Sequence, residues 1–364
     1  MTPTENTYAP TPTGKPRMEW LDALRGFTMI LVVAYHVSTQ GFGEMEKASS
    51  ALPLLVLFRM PLFFFISGFL AYKADMNWTK GRLGMMVWKK VKIQIIPTII
   101  FLFVALIIKH PHLWDGIVYA INSPTKNGYW FTWCLLQMFI IYYLFSFIES
   151  RFARHSWIPI TILWLLALAA YATLYMPSWF KYPKANETSW LNVTSFIQVM
   201  RYFHFFLAGN IIHRYWTGWQ RLFDSKWFFP AIVTVALFCA ADIFKWHNLR
   251  FQWTNLPRTM TMYTLMMIVF MTFRHYKASF THQHWWGRTL QYIGVRTLDI
   301  YLIHFLLLPN LHMVGNFINN NKRNFVIDVT ESFAVAMLVI GFCIVVSNIL
   351  RVSPIFKKYL FGRK

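Results

Sequence analysis

Residues 21–37 read LDALRGFTMILVVAYHV, an apolar run interrupted by Arg25 and, eleven positions later, by His36. Ionisable side chains inside a membrane-spanning segment are costly and face a protein interior or a water-filled path, so two in one run point to function. At about 100° per residue, eleven steps return almost to the starting azimuth, and at about 1.5 Å each they separate the pair by roughly 16 Å. One helix face therefore carries a permanent cation near one end and a titratable imidazole deeper in. Asp22, three positions before Arg25, leaves a second reading for the arginine, a local i,i+3 ion pair that orients it at the interface. His36 has its own plain alternative, a structural hydrogen bond to a neighbouring helix.

The rest of the chain agrees with a membrane setting. Of 364 residues, 56% are hydrophobic, 19% aromatic and only 13% charged, too apolar for a water-soluble globule. A net charge of +21 and a pI near 10.0 would suit nucleic acid, but the basic residues sit in short clusters between apolar stretches, not on an amphipathic helix or tail. Topology explains that pattern, and no nucleic-acid partner is expected. Cys134, Cys239 and Cys343 lie in separate apolar stretches with no CxxC or Cys/His spacing, so neither a disulfide framework nor a zinc site is indicated.

Roughly 20 residues cross the hydrocarbon of a bilayer, and about ten stretches reach that length: 20–42, 53–73, 88–109, 129–148, 156–176, 195–213, 227–246, 258–275, 290–310 and 331–351. Lys and Arg concentrate in alternate connections, including Lys80, Arg82, Lys89, Lys90, Lys92, Arg151, Arg214, Arg221, Arg274 and Lys277, and again in the tail at Arg351, Lys357 and Lys358. By the positive-inside rule these segments are cytoplasmic. The expected fold is all-α, a polytopic transmembrane helical bundle of about ten spans with both termini cytoplasmic. Residues 1–18, rich in Pro and Thr with no apolar core, read as a disordered cytoplasmic tail and not a signal peptide. Residues 19–351 form the membrane domain and 352–364 a basic cytoplasmic tail. The connections 110–128, 177–194 and 311–330 are too short to fold alone, so any chemistry lies in or beside the bundle. Arg25 then sits close to the cytoplasm and His36 in the outer half.

At this point the chain resembles the acyltransferase 3 family of integral membrane O-acyltransferases, whose signature is an arginine, ten residues and a histidine in the first span. Arg25 and His36 supply it within EWLDALRGFTMILVVAYH. The second span, RMPLFFFISGFLAY from Arg59, is similar to the family's proline, aromatic run and Ser-Gly-Phe turn at Pro61, Phe63, Phe64, Phe65, Ser67, Gly68 and Phe69. GVRTLDIYLIHFLLLP resembles its late Tyr-Leu-x-His segment, with Tyr301 and His304 matching, and weaker similarities begin at Tyr129 and Arg201. The likeness covers about residues 17–350. It implies transfer of an acyl group, commonly acetyl, from cytoplasmic acyl-CoA to a hydroxyl of an extracytoplasmic or lipid-linked glycan, in a bacterial cytoplasmic membrane and without a metal. Arg25 would anchor a CoA phosphate, since guanidinium stays charged and offers several donors. His36 would act as general base on the acceptor hydroxyl, with a covalent acyl-histidine as the variant.

Other residues carry two readings each. Lys89, Lys90 and Lys92 stand where the family often has an Arg-x-x-Arg pair. They can bind phosphate as point charges or serve topology alone. Arg59 replaces the family's frequent histidine; it can hold an anionic acceptor, stabilise an oxyanion or snorkel to the interface. Ser67 and Gly68 read as tight helix packing, with a catalytic Ser67 the lesser alternative. Arg201 and His204 share a face at i,i+3, and either these or His304 belongs near a substrate path. Asp299 has Arg296 nearby as a structural partner. Trp130 and Trp133 can stack on sugars or belong to an interfacial aromatic belt. His282 and His284 have no converging ligands that would make a metal site. A transporter or flippase of a polysaccharide or lipid-linked intermediate is the competing function, since buried charges also mark transport paths. Such folds often show internal repeats, and none is apparent here.

Overall fold

The computed structural model describes residues 18–44, 52–74, 76–152, 156–175, 183–184, 187–243, 255–320 and 325–361. These residues form helices, with no strand among them. The first tail, apart from Met18, lies outside the described residues. In chain order the helices are α1 (Glu19–His36), α2 (Leu52–Ala71), α3 (Lys80–Lys90), α4 (Ile96–Lys109), α5 (Leu113–Asn122), α6 (Trp130–Phe152), α7 (Ile158–Ala170), α8 (Trp190–Thr194) and α9 (Phe196–Arg214). Then follow α10 (Trp216–Phe223), α11 (Phe228–Ile243), α12 (Asn255–His275), α13 (Trp285–Val295), α14 (Thr297–Leu307), α15 (His312–Asn320), α16 (Phe325–Leu350) and α17 (Pro354–Phe361). Widened π-helical turns extend α1 over Val37–Gly41 and join α3 to α4 over Val91–Ile95.

The helix that opens the chain is also its hub. Its apolar window is 72% buried, against 28% for the window in Val326–Leu350, because α1 packs on α2, α12, α13, α14 and α16. Lipid tails give apolar helices no net hydrophobic drive toward one another, so such contacts depend on close packing. Small residues provide it at two crossings. A Cβ added at Gly26 would strike the Leu290 carbonyl, and one at Gly294 the Asp22 carbonyl, so α1 and α13 meet backbone to backbone. Gly68 and Gly209 do the same for α2 and α9, against the carbonyls of Phe206 and Phe65.

Each of the ten expected stretches is helical in its described part, but they are not ten uniform spans. Among the described residues, four are individually long and apolar enough to cross a membrane: Glu19–Gly41, Lys80–Lys109, Trp130–Phe152 and Val326–Leu350. Two further pairs qualify only if a bent pair counts as one span: α10 with α11, bent by 78°, and α14 with α15, bent by 88°. Helix α9 falls short because Gln198, Arg201, His204, Asn210 and His213 interrupt it. His204 and Asn210 are fully buried, so these polar groups serve the protein interior.

Local chemistry accounts for the other departures. The expected ninth span, 290–310, breaks at Arg296, whose backbone (φ −111°, ψ 14°) leaves the helical region between α13 and α14. Its far end turns away because Pro309 holds Leu308 extended, at ψ 121°. The connections 110–128 and 311–330 contain α5 and α15. Asp299 pairs not with Arg296 but with Arg351, and it accepts from Ser347 Oγ at 2.8 Å. Arg296 turns instead to Asn348. Part of the expected basic tail is the helix α17, and its Phe361 is buried beneath the Arg351 guanidinium.

Candidate active site

Two cavities reach toward the middle of the bundle. The first, about 670 Å³, is lined by Arg25, Ser67, Lys73, Arg82, Lys89 and Lys90 among others, with Phe361 also in its wall. Arg25 Nη2 donates to Thr297 Oγ1 at 3.0 Å, and its Nη1 stands 3.4 Å from Asp22. Lys90 holds its ammonium 3.6 Å from the centre of the Phe139 ring, a cation–π contact that tethers it without neutralising it. The one carboxylate among the described lining residues is Asp299, already engaged by Arg351. Even with Asp22 beside Arg25, five cations around these two carboxylates leave a positive chamber, suited to a polyanion.

The second cavity, about 580 Å³, opens around the far end of α1. His36, Arg59, Lys109, His110 and Arg201 line it, beside Tyr35, Trp130 and Tyr202. The Arg59 guanidinium lies 3.5 Å over the Tyr35 ring. His36 faces Gln40 Nε2 across 3.3 Å through Nδ1. The widened turn that begins at Val37 places Gln40 there, and such π-bulges recur at functional sites.

Phe63, Phe131 and Tyr301 line both cavities and so form the partition between them. Their rings meet edge to face, Phe63 with Phe131 at 4.9 Å and Phe131 with Tyr301 at 5.5 Å. Tyr301 is fixed by two backbone bonds: its hydroxyl donates to the Gly128 carbonyl at 2.8 Å and accepts from the Phe131 amide at 3.2 Å. The Gly128 carbonyl is presented by three consecutive residues in the left-handed region, Lys126, Asn127 and Gly128. At φ 97° Gly128 has no room for a Cβ, which would enter the Phe305 ring. Backbone strain of this kind persists where the surroundings over-determine it, and it clusters at functional sites. Lys126 secures the loop by donating to the carbonyls of Ile121 and Asn192, the latter at 2.8 Å.

The residues singled out from sequence divide between these chambers. Arg25, Lys89, Lys90 and Ser67 line the first, His36, Arg59 and Arg201 the second, and Tyr301 both. His304 lines neither: it is buried behind His36, with ring centres 5.3 Å apart, its Nδ1 on the Ile300 carbonyl and its Nε2 without a hydrogen-bond partner among the described residues. His204 is buried elsewhere, with Nδ1 2.6 Å from the Tyr263 hydroxyl. Trp133 and Lys92 line neither cavity, whereas Trp130 lines the second. Sequence reading missed Lys73, Arg82, Thr297, Lys109, His110 and Asn127. Lysines at the expected ends of the second and third spans were visible signals for Lys73 and Lys109, and Arg82 stood in a basic cluster; Thr297, His110 and Asn127 carried none. Ser67 Oγ donates to the Phe63 carbonyl one turn back, at 2.9 Å, as a helical serine without a nucleophile's base does.

The acyltransferase domain family Acyl_transf_3 matches residues 18–350, nearly the whole chain. No curated protein and no solved structure matches it. With an all-helical body, several apolar helices of spanning length and a match of this extent, the chain belongs to the acyltransferase 3 family, whose members are membrane acyltransferases.

Proposed function

We propose that this protein moves an acyl group, acetyl in the simplest case, from cytoplasmic acyl-CoA to a hydroxyl of an extracytoplasmic or lipid-linked glycan. The observation that carries this reading is the pair of cavities meeting at Phe63, Phe131 and Tyr301, with Arg25 on one and His36 on the other. The phosphates of CoA have their charge complement in Arg25, Arg82, Lys89 and Lys90. The pantetheine arm then runs along the α1 face for roughly the 16 Å that separates eleven helical residues. It delivers the thioester past the partition while the nucleotide stays behind.

His36 takes the acceptor's hydroxyl proton on Nε2 as the oxygen attacks the thioester carbonyl. That requires the proton of the free imidazole on Nδ1, and Gln40 accepts it when its amide presents Oε1. The C–S bond then breaks, the proton passes to the departing thiolate, and an O-acyl glycan and free CoA result. This scheme places both termini and the first cavity on the cytoplasmic side of a bundle of about ten crossings, in the cytoplasmic membrane of a bacterium. Residues 19–351 carry the reaction, and 1–18 and 352–364 are cytoplasmic ends.

The test uses membranes containing the full chain, radiolabelled acetyl-CoA and surface glycans. Wild type is expected to transfer label. Loss of the base in His36→Ala lowers the rate about 10²- to 10⁴-fold, and Arg25→Ala raises the KM for the donor. Label transfer indifferent to both changes would sink the mechanism.

A further inference from the structure

The second cavity is built for a negatively charged guest. Arg59, Arg201 and Lys109 line it, and no Asp or Glu is among its described lining residues. A neutral sugar presents mainly hydroxyls and needs acceptors as much as donors. Guanidinium and ammonium groups are donors only. The acceptors facing a guest are neutral ones, the amides of Gln40, Asn127 and Gln198 and the hydroxyls of Thr39 and Thr125 among them, so the charge in the described lining is all positive. One wall is aromatic: Trp130 stacks on Tyr202 at 5.7 Å and 19°, and Tyr202 on Phe64 at 5.0 Å and 25°. The guanidinium of Arg201 lies 5.0 Å from the Tyr202 ring and that of Arg59 3.5 Å from Tyr35. Each contact leaves the guanidinium charged, and the forked donors of arginine match an oxyanion.

We propose that this cavity holds the acceptor through an oxyanion, so that the glycan acylated is an acidic one, with a carboxylate or phosphate near the receiving hydroxyl. Arg59 and Arg201 take the oxyanion, Trp130 backs the sugar ring, and His36 meets the hydroxyl. The proposal rests on the acyltransferase reading for what happens next, but not for the binding itself. It differs from a role for Arg59 in stabilising the reaction's own oxyanion, which would not depend on the charge of the acceptor.

The experiment takes the full chain in nanodiscs with labelled acetyl-CoA and three matched acceptors: a uronic-acid disaccharide, its carboxyl-reduced neutral counterpart and a hexose phosphate. Binding is followed in parallel, without donor, by thermal stabilisation. The KM for at least one acidic acceptor is expected about tenfold or more below that of the neutral one, and which acid it is separates carboxylate from phosphate. Arg59→Gln and Arg201→Gln are expected to erase the difference by raising KM for the acidic acceptor, with kcat nearly unchanged, while Arg59→Lys keeps part of it. Equal KM values for acidic and neutral acceptors in wild type overturn the proposal whatever the variants do. So does an Arg59→Gln that lowers kcat equally for all three. If acidic sugars stabilise the protein but none consumes acetyl-CoA, the anion site stands and the transferase reading falls.

Discussion

Arg25 and His36 hang from one helix, where Asp22 and Gln40 stand beside them, yet part of what orients them comes from far along the chain. Thr297 holds Nη2 of Arg25 at 3.0 Å across 272 positions of chain, and His304 backs His36 from the same distant segment. Removing that acceptor in Thr297→Val costs one charge-assisted hydrogen bond, about 1.5 kcal/mol or more. The KM for acyl-CoA is therefore expected to rise about tenfold with kcat nearly intact, measured by steady-state kinetics at saturating acceptor. Unchanged donor KM would separate Arg25 from donor binding. Lys126 makes a different claim, on stability. Burial pushes its ammonium down to about 8, below the ordinary lysine value, so between about pH 8 and 10.5 the unfolded chain binds more protons than the folded one and stability rises with pH. Melting curves of wild type and Lys126→Met in one detergent should diverge in favour of wild type across that window. A gap that narrows contradicts it. The two signature residues were legible in the sequence because charges are conspicuous in apolar runs. Thr297 was not, since a threonine among apolar residues carries no sign of a partner 272 positions away.

Elements were legible as helices and poorly legible as spans. Apolarity marks each helix and Pro309 marks the turn before it, but the break at Arg296 and the π-helical turn after His36 depend on packing that no periodicity reports. The crossings of α1 with α13 and of α2 with α9 show where packing decides. Gly68 in the second span could be read from sequence as a packing residue, but its partner Gly209 could not, because the crossing is set in three dimensions. A methyl at position 68 must displace the Phe206 backbone carbonyl. Gly68→Ala is therefore expected to destabilise the protein by about 1–3 kcal/mol, read as a drop in the melting temperature of the purified protein. Gly341 is the matched control. It lies in α16 with nothing within 4 Å of an added Cβ, so Gly341→Ala is expected to be neutral or to stabilise by up to about 1 kcal/mol through helix propensity. Equal effects at the two positions would mean that α2 and α9 do not meet as described.

At the scale of the whole molecule, the proposed reaction solves a transport problem without transporting the donor. On that reading the two chambers, which share Phe63, Phe131 and Tyr301 in their linings, let a thioester cross while its charged nucleotide stays on one side. The shared rings are held in place by the Tyr301 bonds to Gly128 and Phe131. If each chamber faces a different compartment, single cysteines in them must react with a membrane-impermeant maleimide from opposite sides. Thr39 lines the second chamber and Arg82 the first, and the native cysteines, Cys134, Cys239 and Cys343, are all buried and contribute little background. In intact cells Thr39→Cys should label and Arg82→Cys should not; in inverted vesicles the order should reverse. Excess CoA should then protect Arg82→Cys and leave Thr39→Cys reactive. Labelling of both from the same side would mean that the chambers share one compartment, and the donor would have to be sought on the acceptor's side of the membrane.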